Sequence, residues 1–439
     1  MSFIIDKQSL EDLNLLGKYK TNSIYSIFNT VTTSGGEKLL ESMFLTPMHD
    51  PEVINQRAAT FQFFQKQELA FSFDKQNVAD FEQYLTSGKQ GSWFNTATGV
   101  IQEKIAEIAI RSIGYSEICK GIEAAIRFLN DFSIFWKQLK MIGAHPYQKD
   151  YNWLDDLLDD PKVLQAMSTD SSNSIWDNIR FHFLFKNTIY SHLKRLLQTF
   201  YELDVYISVA AMARRKGMGY ATACAGSSNR LRAVGLRHPA LDKAVCNSIS
   251  LHQSENVLFL TGANMAGKST WMKTIGVTMY LAHLGMPVAA SEFEFSVRDG
   301  IYSSINVPDD IDQGYSHFYA EVLRVKTVAQ KVSDGKNLLI LFDELFKGTN
   351  VKDAFDATLA VTKAFAVHSN CLFVISTHIL EVGEELARTS ANIQFRYLPT
   401  VLEGTSPRYT YYLTEGISSD RQGMMIIENE GILGIIAGE

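Results

Sequence analysis

The spacing of apolar and polar positions divides the chain into two regions. Residues 20 to 230 have few glycines and prolines, and their apolar positions recur at helical spacing. Three long helices are predicted here, at Ile101–Arg111, Ile122–Lys140 and Ile179–Ala213. Aromatic residues at helical spacing are assigned to the core of this region. The segment from 145 to 175 contains two prolines and a Ser/Asp/Asn-rich stretch, which predicts a loop or small insertion.

From about residue 228 the pattern changes to short apolar runs that alternate with helical segments. Three runs predict buried strands, at Asn256–Leu260, Leu338–Phe342 and Leu372–Ser376. The segment Trp271–Leu284 has no proline and has apolar residues at helical spacing, so it predicts a helix. This alternation is typical of a mostly parallel sheet with helices on its faces. We therefore predict an all-α domain over residues 1–227 and an α/β domain over residues 228–439.

The loop between the first of these strands and the helix has the sequence of a phosphate-binding loop. Residues 261–270 contain Gly-x-x-x-x-Gly-Lys-Ser in the required strand–loop–helix context. Glycines let backbone N–H groups turn towards phosphate oxygens, and the following helix presents its positive end to them. Lys268 is predicted to contact the β- and γ-phosphates, and the Ser269 hydroxyl to bind Mg²⁺. The alternative is a glycine-containing turn without function.

Acidic and polar residues follow the other two strands. Asp343 and Glu344 come directly after Leu338–Phe342, which is the Walker B pattern, and His378 lies two residues beyond Leu372–Ser376. Asp343 is predicted to hold the Mg²⁺ shell, and Glu344 to orient or deprotonate the attacking water. Polar residues at the carboxyl ends of neighbouring parallel strands point into one crevice. His378 is therefore a candidate sensor of the γ-phosphate.

These motifs resemble those of MutS, the family of DNA mismatch repair ATPases. The loop has the family's form Thr-Gly-x-Asn-Met-x-Gly-Lys-Ser-Thr. Further segments are similar to family motifs, in the same order along the chain: Thr32–Leu40, Leu203–Ala211, Arg237–Pro239, Gly285–Ala290, Asp309–Phe318, Asp343–Thr349, Ser376–His378 and Arg421–Gly423. The likeness is strongest from about Leu203 onward.

The resemblance implies an α/β P-loop NTPase domain of the ABC-like type, preceded by an all-α core and lever domain. It implies ATP and Mg²⁺ as cofactors, with Asn264 facing the γ-phosphate. It also implies that Ser316 reaches into the partner's site across a homodimer interface, so that two nucleotides lie between two ATPase domains. The residues expected to bind nucleotide within the chain's own loop are Gly262, Ala263, Asn264, Met265, Ala266, Gly267, Lys268, Ser269 and Thr270.

Departures from repair-type MutS change the expected target. The chain begins almost at the core domain, so we expect the mismatch-binding and connector domains to be absent, and the clamp to be reduced or absent. A Phe-x-Glu sequence at Phe200–Glu202 resembles the family's mismatch wedge, but it lies in a helical stretch and is assigned to helix core. Ala244 replaces the aromatic residue that stacks on adenine in relatives, which predicts loose base selectivity. Only a short segment follows Gly423, which predicts a dimer that can depend on ATP.

Composition limits the class of protein and its partners. Hydrophobic residues make up 46% of the 439 residues and charged residues 20%, as in ordinary globular proteins. No leader pattern is present, and no apolar run approaches the roughly 20 residues that span a bilayer, so we predict a cytoplasmic protein without a membrane partner. The net charge of −7 argues against a protein that coats nucleic acid generally. Arg214–Lys216, Arg230, Arg232 and Arg237 form either a local basic surface or a solvated helix end and strand face.

These patterns together predict a Mg²⁺-dependent ATPase that couples nucleotide binding and dimer closure to gripping DNA. The expected DNA is branched or otherwise not selected by a mismatch, in repair or recombination. Two alternatives stay open, which are a nucleotide-gated clamp on RNA or a ribosome and a regulatory ATPase that binds only protein. A shared fold does not by itself carry function.

Overall fold

The structure is a computed structural model that describes residues 3–17, 22–67, 69, 71–87, 90–142, 151–169, 174–305, 317–403, 406–418 and 432–437. The chain divides into two compact units. The sheet unit comprises Met1–Asn29, Met43–Ala58 and Met212–Glu439, and the helical unit comprises Thr30–Ser42 and Ala59–Ala211. Two early segments and residues 212–227 thus group with the sheet, whereas a single boundary near residue 228 was expected.

The described residues form sixteen α-helices: α1 (Lys7–Asp12), α2 (Ile24–Phe28), α3 (Ser34–Leu45), α4 (Pro51–Lys66), α5 (Lys75–Thr86), α6 (Trp93–Ile110), α7 (Gly114–Met141), α8 (Asn152–Leu158), α9 (Pro161–Met167), α10 (Ile175–Phe183), α11 (Tyr190–Arg215), α12 (Lys268–His283), α13 (His317–Ser333), α14 (Val351–Ala366), α15 (Leu380–Thr389) and α16 (Ile432–Ala437). A π-helical turn spans Leu184–Thr188, and a 3₁₀ turn spans Gly226–Ser228.

Thirteen strands occur in the same ranges: β1 (Ile4–Ile5), β2 (Ala221–Cys224), β3 (Leu231–Leu236), β4 (Asn247–Leu251), β5 (Val257–Thr261), β6 (Glu292–Ser296), β7 (Gly300–Ser304), β8 (Leu338–Asp343), β9 (Leu372–Ser376), β10 (Ile393–Tyr397), β11 (Thr400–Glu403), β12 (Ser406–Tyr409) and β13 (Thr414–Glu415). No helix of the described ranges combines the length and apolar character that crossing a membrane requires.

The helical unit is held together by an aromatic core. Helix α7 buries one face along most of its length, because its apolar residues recur every three or four positions from Ile122 to Leu139. The Phe128 ring stacks on Phe81 of α5 with centroids 4.5 Å apart and meets the edge of Phe200 of α11 at 5.0 Å. The assignment of these aromatic residues to the core is therefore confirmed.

One prediction for the helical unit is wrong in detail, and another had two alternatives that the structure separates. The stretch Ile179–Ala213 is not one helix, because the π-helical turn interrupts it between α10 and α11. The segment from 145 to 175 was predicted as a loop or small insertion, and its described part fits an insertion, because it forms α8 and α9. The Asp160 side chain caps α9 by accepting the backbone N–H of Lys162, and Pro161 occupies the first turn. Proline there loses no helical hydrogen bond, so it starts a helix rather than breaking one.

The larger sheet of the sheet unit has the strand order β1-β7-β8-β9-β5-β10-β13. All neighbouring strands run parallel except β10 and β13. Strands β5, β7 and β9 are buried along their whole length, as expected of a sheet covered on both faces. The predicted mixed α/β class with a mostly parallel sheet is confirmed. The carboxyl ends of β5, β8 and β9 lie side by side, which positions the site described next.

Candidate nucleotide site

The loop between β5 and α12 makes a tight turn that requires glycine. Gly262 and Gly267 have φ angles of 139° and 99°, in a region that side-chain-bearing residues rarely adopt. A Cβ on Gly262 would also lie 3.1 Å from the Leu398 carbonyl oxygen. Helix α12 begins at Lys268, three residues earlier than the apolar pattern predicted. Its first turn therefore directs free backbone N–H groups towards the loop.

Lys268 is folded back onto this loop. Its side chain is 5% exposed, and Nζ donates hydrogen bonds to the carbonyl oxygens of Gly262 at 2.9 Å and Ala263 at 3.1 Å. Burial lowers the pKa of the ammonium group, while the nearby Glu344 and Asp343 carboxylates act in the opposite direction. The lysine is thus a buried cation that is held by neutral carbonyl groups, with its nearest carboxylate, Glu344, 4.0 Å away.

An open cavity of about 320 Å³ lies over the loop. It is lined by Asn264, Met265, Gly267, Lys268, Ser269, Thr270 and Glu344. Six of these seven residues belong to the predicted loop, and the seventh is the predicted water-positioning residue. The structure therefore brings the phosphate-binding loop and Glu344 of the Walker B pair to one cavity.

Asp343 and Glu344 take different positions at the end of β8. Asp343 lies opposite Ser376 in the register of β8 and β9, and the Ser376 hydroxyl donates a hydrogen bond to its carboxylate. Glu344 turns away with a φ of 51°, and its N–H donates to the Ser376 carbonyl oxygen at 3.0 Å. This left-handed residue directs the Glu344 side chain to the cavity, whereas Asp343 is absent from the described lining residues.

Two further predicted site residues, His378 and Ser316, are not among the described residues that line this cavity. His378 follows β9, but its side chain is exposed and is absent from the described residues that line the cavity. Its neighbour Thr377 is buried and is held between β5 and α15, since its N–H donates to the Leu260 carbonyl and its hydroxyl accepts the Ile379 N–H. Ser316 lies outside the described residues.

A second cavity of about 330 Å³ adjoins the first, and we call it the base cavity. The two cavities share Met265, Gly267 and Thr270. The base cavity is also lined by Arg237, His238, Leu241, Lys243, Ala244, Val245, Asn247, Ala266, Trp271, Thr274, Leu398 and Tyr411. Ala244, which is predicted to replace an aromatic residue, lines this cavity.

Tyr411 supplies an aromatic ring at the base cavity. A Cβ on Gly267 would lie 3.0 Å from Tyr411 Cδ1, so the ring packs directly on the glycine of the loop. Asn247 fixes the backbone there, because its Nδ2 donates to the Tyr411 carbonyl at 3.0 Å and its Oδ1 accepts the Leu413 N–H at 2.7 Å. Tyr411 was not predicted, since it is distant in sequence and no local pattern marks it.

Comparison with known proteins identifies this region. Residues 258–436 match the family model of MutS domain V. The chain contains a MutS domain V. The chain is 31% identical over 194 residues to the DNA mismatch repair protein MutS of Petrotoga mobilis, covering 43% of this chain and 23% of that protein. The resemblance drawn from the motifs is thereby confirmed.

Two further relatives carry the same name. The MutS protein of Pseudothermotoga lettingae is 23% identical over 99% of this chain and 63% of its own length. The protein of Geobacillus sp. strain WCH70 is 28% identical over 54% of this chain and 28% of its own length. The chain thus spans less than two thirds of the length of each of these curated relatives.

The arginines beside the MutS domain V are largely engaged within the chain. Arg230 pairs with Glu294 at 2.8 Å, and Arg232 pairs with Glu292 at 2.5 Å across β3 and β6. Arg237 binds backbone carbonyl groups. The strand part of the proposed basic surface is therefore neutralised by acidic partners, which favours the solvated strand face of the two alternatives.

Proposed function

We propose that the chain is a Mg²⁺-dependent ATPase of the MutS type, built on a P-loop NTPase domain. The observation that carries the proposal is the joint lining of one cavity by Lys268 and Glu344, next to a second cavity of a size that suits a nucleobase. A buried lysine whose ammonium group is held only by loop carbonyls is a cation prepared for phosphate oxygens.

The residues present fit a nucleotide triphosphate with its metal ion. Ser269 is exposed at the first turn of α12, and Asp343 lies at the end of β8. Hydroxyl and carboxylate oxygens are ligands that Mg²⁺ prefers, so these two residues would hold the ion. When bound, the ion would neutralise charge on the phosphate oxygens.

We assign roles in hydrolysis to this chain's own groups. The N–H groups of residues 262–270 cradle phosphate oxygens, and Lys268 moves from the loop carbonyls to the β- and γ-phosphates. Glu344 orients the attacking water and accepts its proton. Asn264 and His378 contact the γ-phosphate, and Ser316 completes the site of a partner subunit in a homodimer that can depend on ATP.

The base cavity accommodates the adenine ring. Tyr411 offers a face for stacking in the cavity where Ala244 leaves space, so the aromatic contact comes from a residue that is far from Ala244 along the chain. Stacking alone distinguishes bases weakly. Base selectivity is therefore expected to be loose, as the substitution at Ala244 suggested.

We further propose that nucleotide binding and dimer closure grip DNA by its structure and not by a mismatch. The names of the relatives support a DNA target. Phe200 of the wedge-like Phe-x-Glu sequence is fully buried in α11, which supports the absence of mismatch reading through that residue. The domain arrangement proposed is a helical core and lever with a reduced or absent clamp, followed by the ATPase domain, in a cytoplasmic protein.

One observation favours the alternative of a protein partner. Helix α6 leaves four large apolar residues more than half exposed, namely Phe94 at 74%, Ile105 at 59%, Ile108 at 75% and Ile110 at 77%. Exposed apolar residues grouped on one helix are more typical of a protein interface than of a phosphate-binding surface. The two functions differ in salt dependence, because binding to DNA weakens steeply with salt and apolar docking does not.

The test is the rate of ATP hydrolysis measured with no DNA and with duplex, branched and single-stranded DNA, beside the variant Glu344→Gln. We expect Mg²⁺-dependent hydrolysis that branched DNA changes most and that Glu344→Gln lowers by at least about 100-fold. Hydrolysis that no DNA affects, together with no salt-dependent DNA binding, would refute the DNA part of the proposal. Failure of the folded protein to bind Mg²⁺–ATP would refute all of it.

A further inference from the structure

Arg237 contacts the end of helix α11 and the base cavity at the same time. Its guanidinium Nη2 donates to the carbonyl oxygens of Lys216 at 2.5 Å and Gly217 at 2.9 Å. Arg237 also lines the base cavity, together with His238 and Leu241. No other arginine in the described ranges lines that cavity.

The carbonyl groups that Arg237 binds directly follow α11, beyond the hydrogen-bonded turns of the helix. Within the last turn, the N–H of Lys216 donates to Met212, that of Gly217 to Arg214 and that of Met218 to Ala213. The carbonyls of Lys216 and Gly217 lie beyond this ladder, and a cation at a helix C-terminus is favourable. Arg237 therefore supplies the last hydrogen bonds of α11.

The segment Val288–Ala289 forms backbone hydrogen bonds with residues on both sides of this contact, Gly219 and Arg237. The Arg237 N–H donates to the Ala289 carbonyl at 2.9 Å, and Gly219 exchanges two hydrogen bonds with Val288 at 2.8 and 2.9 Å. A Cβ on Gly219 would lie 2.5 Å from the Ala290 carbonyl oxygen, so the two segments pack closely at this point.

We propose that Arg237 is a positioning residue through which a base in the base cavity stabilises the end of helix α11. This inference rests on the proposed nucleotide site and extends it. A base against Arg237 removes water from the guanidinium group and restricts its rotation. Its hydrogen bonds to Lys216 and Gly217 then strengthen, because charged hydrogen bonds are stronger where the local dielectric constant is low.

Linkage makes the effect reciprocal. If the base stabilises the end of α11 by some factor, an ordered end of α11 raises the affinity for the nucleotide by the same factor. Arg237 is absent from the described residues that line the cavity over the phosphate-binding loop, so a triphosphate without a base is not expected to contact it. The base, and not the triphosphate, is therefore the signal.

The experiment is amide hydrogen exchange of the full chain, free, with saturating Mg²⁺–ATP, and with saturating Mg²⁺–tripolyphosphate. We expect ATP to slow exchange at the amides of Lys216, Gly217 and Met218 by about 5-fold or more, the lower end of typical coupling between sites. Tripolyphosphate, judged where it protects the loop amides of residues 262–268, is expected to leave the three amides unchanged. Equal slowing by both ligands would overturn the proposal.

The variants Arg237→Gln and Arg237→Lys test the residue itself. Arg237→Gln should lose the effect of ATP on the three amides and bind ATP about 5-fold more weakly. Arg237→Lys should lose only part of both, because one ammonium group reproduces the guanidinium fork incompletely. Arg232→Gln is the matched control, since Arg232 pairs with Glu292 and is absent from the described lining of the base cavity. Unchanged protection in both Arg237 variants would contradict the proposal.

Failure of this inference and failure of the proposed function give different results. Wild-type protein that does not bind ATP overturns both. Wild-type protein that binds and hydrolyses ATP but shows no slowing at residues 216–218 overturns only the role of Arg237. If the Gln variant does not fold, the Lys variant and the contrast between ATP and tripolyphosphate in the wild type still decide.

Discussion

The ammonium group of Lys268 lies 4.0 Å from the carboxylate of Glu344 and is held by two carbonyl groups of its own loop. The contact with Glu344 is at the outer limit of an ion pair, so neither charge is neutralised tightly by the other. A triphosphate entering the cavity would replace the two carbonyl bonds of the lysine with charged ones, which are stronger. An anion that binds here would therefore displace only the weak contacts that now hold the Lys268 ammonium group.

Lys268→Met is expected to weaken ATP binding by about 10- to 100-fold, since a hydrogen bond to a charged group contributes roughly 1.5–3 kcal/mol. Lys273→Met on the same helix is the control, because Lys273 is absent from the described lining of both cavities. Equilibrium binding of a fluorescent ATP analogue measures the difference. Equal affinities of the two variants would contradict the role of Lys268.

Glu344→Gln is expected to retain ATP and to lower its hydrolysis by at least about 100-fold, because it keeps the shape of the side chain and removes the base. Single-turnover hydrolysis and a binding titration on the same preparation separate the two effects. Loss of binding without a change in the single-turnover rate would show that Glu344 acts on affinity instead.

Tyr411→Ala is expected to weaken ATP binding by about 5- to 150-fold, the range that corresponds to the 1–3 kcal/mol typical of base stacking on an aromatic ring. Tripolyphosphate binding should be unaffected, since it has no base. Tyr412→Ala is the matched control, because the neighbouring tyrosine is exposed and is absent from the described lining of the base cavity. Similar losses for both ligands would argue against a stacking contact.

Acid is expected to destabilise the fold through buried histidines. Burial lowers the pKa of His283 to about 3, and burial also lowers the pKa values of His238 and His182 to about 4. His283 has no room for a second proton, since Nδ1 faces the Met48 carbonyl and Nε2 accepts the Arg298 N–H at 3.1 Å. Below about pH 6.5 these histidines bind protons in the unfolded chain but stay neutral in the folded chain.

The free energy of unfolding should therefore be unaffected by these groups above about pH 6.5 and fall between about pH 6.5 and 4. The slope is about 1.4 kcal/mol per pH unit for each histidine. Urea unfolding at about pH 7 and about pH 5 measures it. His283→Gln should show a shallower loss than the wild type, and an equal loss would contradict the assignment.

Local sequence was sufficient for the elements that carry the chemistry. Strand Leu372–Ser376 and the loop 262–267 follow from a short apolar run and from glycines that must adopt positive φ angles. Elsewhere a local signal had two readings. Pro161 lies in a segment that was predicted as a loop or small insertion, and it starts α9, because proline is tolerated in a first turn.

The placement of the amino-terminal segment could not be predicted. Strand β1 pairs with β7, and Asp12 accepts hydrogen bonds from the Ser303 hydroxyl and the Ile305 N–H, so early residues belong to the sheet unit. A two-residue strand has no periodicity of its own. Its position depends on partners that are distant in sequence.

The sequence by itself determined the identity of the loop, the acidic pair and the family. Each is recognised from short motifs whose residues are neighbours along the chain. Only the tertiary structure decided that Ser376 binds Asp343 and that Tyr411 packs on Gly267. The same is true of the hydrogen bonds from Arg237 to the carbonyl groups that follow helix α11. These contacts join residues far apart along the chain. They form only when strand order and burial bring the two partners together, which no local pattern specifies.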